Sequence, residues 1–158
     1  MAEFSDQFRQ DFDRLLRWRR DVRRFRPDPV DRGILRDCFA SFPLSPSVGL
    51  LQPWRLVQLC SAAMRGAGLG TGSMPEMQRY SVVSAITQFW LLARANGLGV
   101  GWVSILDPER PRRDLDLPES WSLMAYLCIG WPQEATEVPE LERVGWETRE
   151  TSLDLLER

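Results

Sequence analysis

The sequence predicts an α+β domain, and three observations carry that expectation. Amphipathic helical segments open the chain, a long apolar helical segment occupies its middle, and two short strand-like runs, 100–105 and 124–129, follow. No regular alternation of strand and helix is present, which argues against a doubly wound parallel sheet. The 158 residues suit one domain with a sizeable core. An apolar fraction of 44% beside 27% charged residues is that of a globular chain.

Phe4, Phe8, Phe12, Leu15 and Leu16 recur at helical spacing, and Ser5 or Asp6 can cap the start. An arginine-dense stretch, 17–26, follows with six arginines and Asp21. Asp28 before Pro29 has the form of an N-cap with proline at the first helical position. Ile34, Leu35, Cys38, Phe39 and Phe42 then supply a second apolar helical face. Residues 43–53, with three prolines, read as ordered loop and 54–60 as a strand. The glycine-rich 61–73 shows no core-forming pattern. Pro75 opens a long helix to about Asn96, apolar on nearly every side and so deeply buried, with Gly97 placed to terminate it. Strand 124–129 leads into Gly130-Trp131-Pro132, and the polar tail from Glu134 carries only Leu141, Val144 and Trp146 as an apolar group.

Composition narrows the chemistry. All 20 basic residues are arginine, and the chain has neither lysine nor histidine. An imidazole base, a histidine metal ligand, a lysine Schiff base and a P-loop lysine are thereby excluded. Catalysis falls to carboxylates, hydroxyls, thiols, backbone amides or a bound cofactor, the last being most economical. Seven tryptophans and seven phenylalanines point first to core packing, then to a dimer interface or a planar ligand. A net charge of −2 argues against nucleic acid as a partner. Cys38, Cys60 and Cys128 are too widely spaced for a metal or disulfide framework, so a reducing, cytoplasmic setting is expected and no metal. The start lacks the pattern of a signal peptide, and no stretch is long and apolar enough for a bilayer.

Four segments carry candidate chemistry. Arg19, Arg20 and Arg23 are spaced so that forked donors can converge on one phosphate, or else they form a solvated basic face. Glycines at 66–68 and 97–101 fail the dinucleotide fingerprint, the first by lacking a glycine at 71 and the second by preceding a strand. Gly97, Gly99 and Gly101 leave one strand face bare, so that a flat ligand or another backbone can approach closely, and Ser104 adds a hydroxyl among apolar neighbours. The loop from Ser45 to Trp54, with Ser47 and Gly49, can present donors to a ligand.

Taken together, these segments resemble the nitroreductase-like flavoproteins, and within them the 5,6-dimethylbenzimidazole synthase branch. Arg19-Arg20-Asp21-Val22-Arg23, Pro46-Ser47-Val48-Gly49, Gln52-Pro53-Trp54 and Met74-Pro75-Glu76-Met77 with Tyr80-Ser81 carry the resemblance. It continues through Gly99-Val100-Gly101-Trp102-Val103-Ser104, Tyr126-Leu127-Cys128-Ile129-Gly130, and Pro139-Glu140-Leu141 with Gly145-Trp146. Leu50 stands where ordinary nitroreductases usually carry asparagine.

The resemblance implies a central, mostly antiparallel sheet flanked by helices, in a homodimer with FMN at the subunit interface. Arg19, Arg20, Val22, Arg23, Ser47 and Gly145 would bind the flavin, with Asp21 and Ser104 beside its ring as the residues that steer proton transfer and the reaction with oxygen. The implied reaction consumes reduced FMN and dioxygen, yielding 5,6-dimethylbenzimidazole, the lower ligand of cobalamin; a separate flavin reductase would supply the FMNH2. A general FMN-dependent nitro- or quinone reductase and a flavin-binding remnant without catalysis are the alternatives. In one respect the chain departs from the family. The single domain, 1–158, is several dozen residues short between about 60 and 73, where the family builds cover over the flavin. Either the chain has diverged, or the sequence omits a segment of the protein as made.

Overall fold

The computed structural model describes residues 4–45, 56, 74, 76–134 and 136–148. The expected strand at 54–60, the glycine-rich 61–73 and most of the loop with Ser47 lie outside them. Helix α1 is Asp6–Trp18, and the Ser5 side chain caps it by accepting the Phe8 N–H. Helix α2 is Arg32–Phe39, followed by a 3-10 turn, Phe42–Leu44. Helix α3, Met77–Ala95, leads into strand β1, Gly99–Val103, and after the short helix α4, Glu109–Asp114, comes strand β2, Tyr126–Gly130. A single-turn helix α5, Glu140–Arg143, closes the described chain.

One helix start differs from expectation. The cap of α2 is Asp31, whose Oδ1 accepts the N–H groups of Gly33 (2.8 Å) and Ile34 (3.0 Å). Asp28 instead pairs with Arg26 at 3.2 Å. Pro29 is held outside the helix, its carbonyl accepting the Trp131 indole N–H at 3.2 Å.

Strands β1 and β2 pair antiparallel, with Gly99 opposite Gly130, Gly101 opposite Cys128 and Val103 opposite Tyr126. The arginine-rich segment lies along the other edge of β1. Asp21 bridges to Val100 in parallel sense, the Val22 N–H donates to the Val100 carbonyl at 2.9 Å, and Phe25 bridges to Pro132. The core sits between α2, the 3-10 turn, α3 and β1. Cys38, Phe42, Val82, Ile86, Phe89, Leu98 and Val100 are buried there. Phe89 stacks on Phe39 at 5.1 Å and tilts against Phe42 at 5.8 Å. The seven buried α3 residues lie on one face, with Tyr80 and Val83 exposed on the other. Within the described residues this helix is half buried rather than enclosed on every side as its composition suggested. The hydroxyls of Ser81 and Thr87 cost little there because they donate to the carbonyls of Met77 and Val83. Gly97, at φ +82°, takes the left-handed position just after the helix.

Candidate functional site

The bare face of β1 is filled by Val22, through its carbonyl at Gly101 and its side chain at Gly99. A β-carbon added at Gly101 would stand 2.3 Å from the Val22 carbonyl oxygen, and one at Gly99 would meet the Val22 side chain at 2.8 to 2.9 Å. Across the sheet, a β-carbon on Gly130 would meet the Phe25 ring at 2.8 Å. The two open readings of the glycine alternation are thus decided within the described residues: another backbone, not a flat ligand, makes the close approach.

That approach fixes Asp21. Its Oδ1 accepts the backbone N–H of Trp102 at 2.7 Å, while Oδ2 lies 3.4 Å from Arg23 Nε. The second contact is long for a charge-assisted bond, so Oδ2 is the less committed oxygen. Ser104 follows two residues after Trp102, exposed and just beyond the end of β1.

The arginines divide between two directions. Arg19 lies over the Trp90 ring at 5.2 Å, and Trp90 packs 6.4 Å from Trp102. Arg20 turns the other way, its Nη1 donating to the Val138 carbonyl at 2.6 Å. Arg24 pairs with Glu140 at 3.2 Å, and Arg143 with Glu134 at 2.8 Å. Between the two segments is a pocket walled on one side by residues 20–24, and on the other by Glu134, Thr136, Glu140 and Arg143. Asp21 is on its wall; Arg19, Ser104 and Gly145 are not. Ser47 lies outside the described residues.

The donor set has a surplus of guanidiniums that suits an anion, though the pocket arginines already have partners within the chain. Four arginines against three carboxylates line the pocket. Beside it, Arg19 has an aromatic face but no carboxylate partner among the described residues. Among the described residues, no group of three or more histidine, cysteine or acidic side chains is arranged to hold a metal ion.

The nitroreductase family model matches residues 16–69 and 64–131. The chain belongs to the nitroreductase family. Within that family it is 42% identical to a 5,6-dimethylbenzimidazole synthase of Rhodospirillum rubrum, in an alignment of 197 residues covering 92% of this chain and 93% of that protein. A second such synthase, from Rhodobacter capsulatus, is 33% identical over 91% of this chain and 94% of its own length. A nitroreductase-like protein of Streptococcus mutans shares the fold, with a TM-score of 0.71 at 16% identity over 94% of this chain and all of that one. Its fold confirms the α+β nitroreductase-like architecture expected from sequence.

Sequence reasoning missed the far wall of the pocket, Glu134, Thr136 and Arg143, as well as Glu137, whose Oε1 accepts the Trp18 indole N–H at 2.5 Å. A signal was present: the tail is acidic where the early segment is basic, and oppositely charged segments pair across a fold.

Proposed function

We propose that this nitroreductase-family protein fragments reduced FMN with dioxygen to 5,6-dimethylbenzimidazole, the lower ligand of cobalamin. The observation that carries the reading is the 42% identity to a curated synthase across 93% of that relative's length. FMN supplies the electrons that reduce oxygen and is itself the substrate; the protein supplies placement and proton handling. Arg19 and Arg23, with Ser47, Val22 and Gly145, bind the flavin. Arg20 contributes through the pocket wall that it holds by the Val138 carbonyl. Asp21 holds or moves a proton at Oδ2 because Oδ1 is occupied by the Trp102 N–H, and Ser104 acts from the neighbouring end of β1.

Two further features belong to the proposal. The protein acts as a cytoplasmic homodimer with flavin at the interface, fed with FMNH2 by a separate reductase. In support of a second copy, Phe4, Phe8, Phe12 and Leu16 form an exposed stripe along α1, and no residue of α1 is buried within one copy. Among the described residues, no helix is long and apolar enough to cross a membrane. The domain is also shortened near 60–73. The family match falls in two stretches that meet at 64–69, inside that segment, and the synthase alignment of 197 residues exceeds the 158 of this chain.

Mixing the protein with chemically reduced FMN in air and assaying 5,6-dimethylbenzimidazole by mass spectrometry tests the reading. Product is expected. Steady NAD(P)H-dependent reduction of a nitroaromatic without that product would favour a general reductase, the reading suggested by 26% identity to a Thermus thermophilus NADH dehydrogenase.

A further inference from the structure

Trp18 is the last residue of α1, immediately before the arginine segment. Two guanidiniums lie over its ring, Arg94 of α3 at 4.6 Å and Arg14 of its own helix at 5.5 Å from the centroid. Both helices therefore fix the direction of the indole N–H, which donates to Glu137, 119 positions further along the chain. Partial burial lowers the Arg94 pKa, and the ring face offsets part of that desolvation.

The segment around Glu137 needs such an anchor. From Pro139 onward its backbone hydrogen bonds are local turns: Arg143 to Pro139, Val144 to Glu140, Gly145 to Glu142 and Trp146 to Leu141. Among the described residues, no ladder ties 136–148 to a strand. Its described ties to the early segment are side-chain interactions: contacts from Trp18, Arg20 and Arg24, and the charge of Arg17 acting on Glu137. Arg20 and Arg24 also line the pocket; Trp18 and Glu137 do not. The Trp18–Glu137 pair thus sets the far wall without touching what the pocket holds.

We propose that Trp18 and Glu137 are positioning residues: their hydrogen bond latches the segment carrying Thr136, Glu140 and Arg143 against the arginine strand, and so fixes the wall opposite Asp21 for FMN. The inference rests on the flavin reading given above. Because the wall contacts ligand alike before and during reaction, its loss weakens binding more than turnover.

The test compares Trp18→Phe, Glu137→Ala, Glu137→Gln and the Trp18→Phe/Glu137→Ala double variant of the full chain. Trp18→Phe keeps an aromatic face for the two arginines while removing the N–H donor together with the second ring. We expect Trp18→Phe and Glu137→Ala each to raise the FMN Kd and the KM for reduced FMN about tenfold, with kcat within about twofold. The double variant should be no worse than either single one, and Glu137→Gln, which keeps an acceptor, should stay within about twofold of the parent. Hydrogen exchange at the amides of Arg143 to Trp146 should speed up in Trp18→Phe while α3 is unchanged. Wild-type Kd in either single variant, additive losses in the double one, or unaltered exchange would overturn the latch. Failure of the wild-type protein to bind FMN overturns the flavin reading instead, and the exchange measurement still decides the latch.

Discussion

Gly101 has no room for a side chain, since a β-carbon there would stand 2.3 Å from the carbonyl oxygen of Val22, a residue whose N–H is bonded to the sheet edge at Val100. Gly101→Ala must push the Asp21–Val22 segment off β1, and overpacking of this kind costs about 1–3 kcal/mol, or more where backbone must move. Gly145 is a control: its φ is +72° but nothing lies within 4 Å, so Gly145→Ala should cost only about 1 kcal/mol of local strain. Urea midpoints of the two variants measure the difference; equal losses would contradict the close approach. At Asp21 the same contact separates fold from chemistry. Asparagine keeps an oxygen for the Trp102 N–H, so Asp21→Asn should retain stability and FMN binding while losing product. Asp21→Ala leaves that N–H without its acceptor and should cost about 1–3 kcal/mol. The alternating glycines were legible in the sequence as a place of close approach. That the approaching group was Val22 was not, because glycine spacing carries no information about the partner across the gap.

At the scale of elements, periodicity found what long apolar faces specify. Helix α1 with its Ser5 cap, α3 with its Gly97 terminator, and the pair β1 and β2 stand where the pattern placed them, within a residue or two at each end. Helices α4 and α5 escaped notice because, at six and four residues, they bury no residue and show no apolar stripe. The start of α2 was misplaced because Asp28-Pro29 and Asp31 offer two caps three residues apart, and only the tie from Trp131 to the Pro29 carbonyl decides between them. The consequence is measurable. Asp31→Ala should destabilise the protein by about 1 kcal/mol. Asp28→Ala should change stability by less than about 0.5 kcal/mol, because its pair with Arg26 is half exposed on both sides. The reverse order in thermal melts would move the cap back to Asp28. The site followed the same logic. The spacing of Arg19, Arg20 and Arg23 left an anion site and a solvated basic face both open, and the turn of Arg20 toward Val138 depends on a tail 118 residues away, beyond the reach of local pattern.

For the whole molecule, one described face and one feature of the sequence bear on assembly and on the reaction. The first is the α1 stripe, where Phe8 stacks on Phe4 at 4.6 Å and Phe8 and Phe12 remain 47% and 44% exposed. Light scattering should find a dimer, and Phe8→Asp with Phe12→Asp should give a monomer of unchanged helicity; an unchanged mass would remove this face from the interface. The second is the proposed shortening near 60–73, which on the flavin reading bears on whether water reaches the reacting ring. Loss of cover would divert oxygen chemistry from ring fragmentation to peroxide release. The most direct measurement is the moles of 5,6-dimethylbenzimidazole formed per mole of reduced FMN oxidised in air, with hydrogen peroxide assayed in parallel. A synthase gives dimethylbenzimidazole well above a protein-free control, and Asp21→Asn abolishes it while still binding FMN. Stoichiometric peroxide with intact FMN in the wild-type protein would contradict that account.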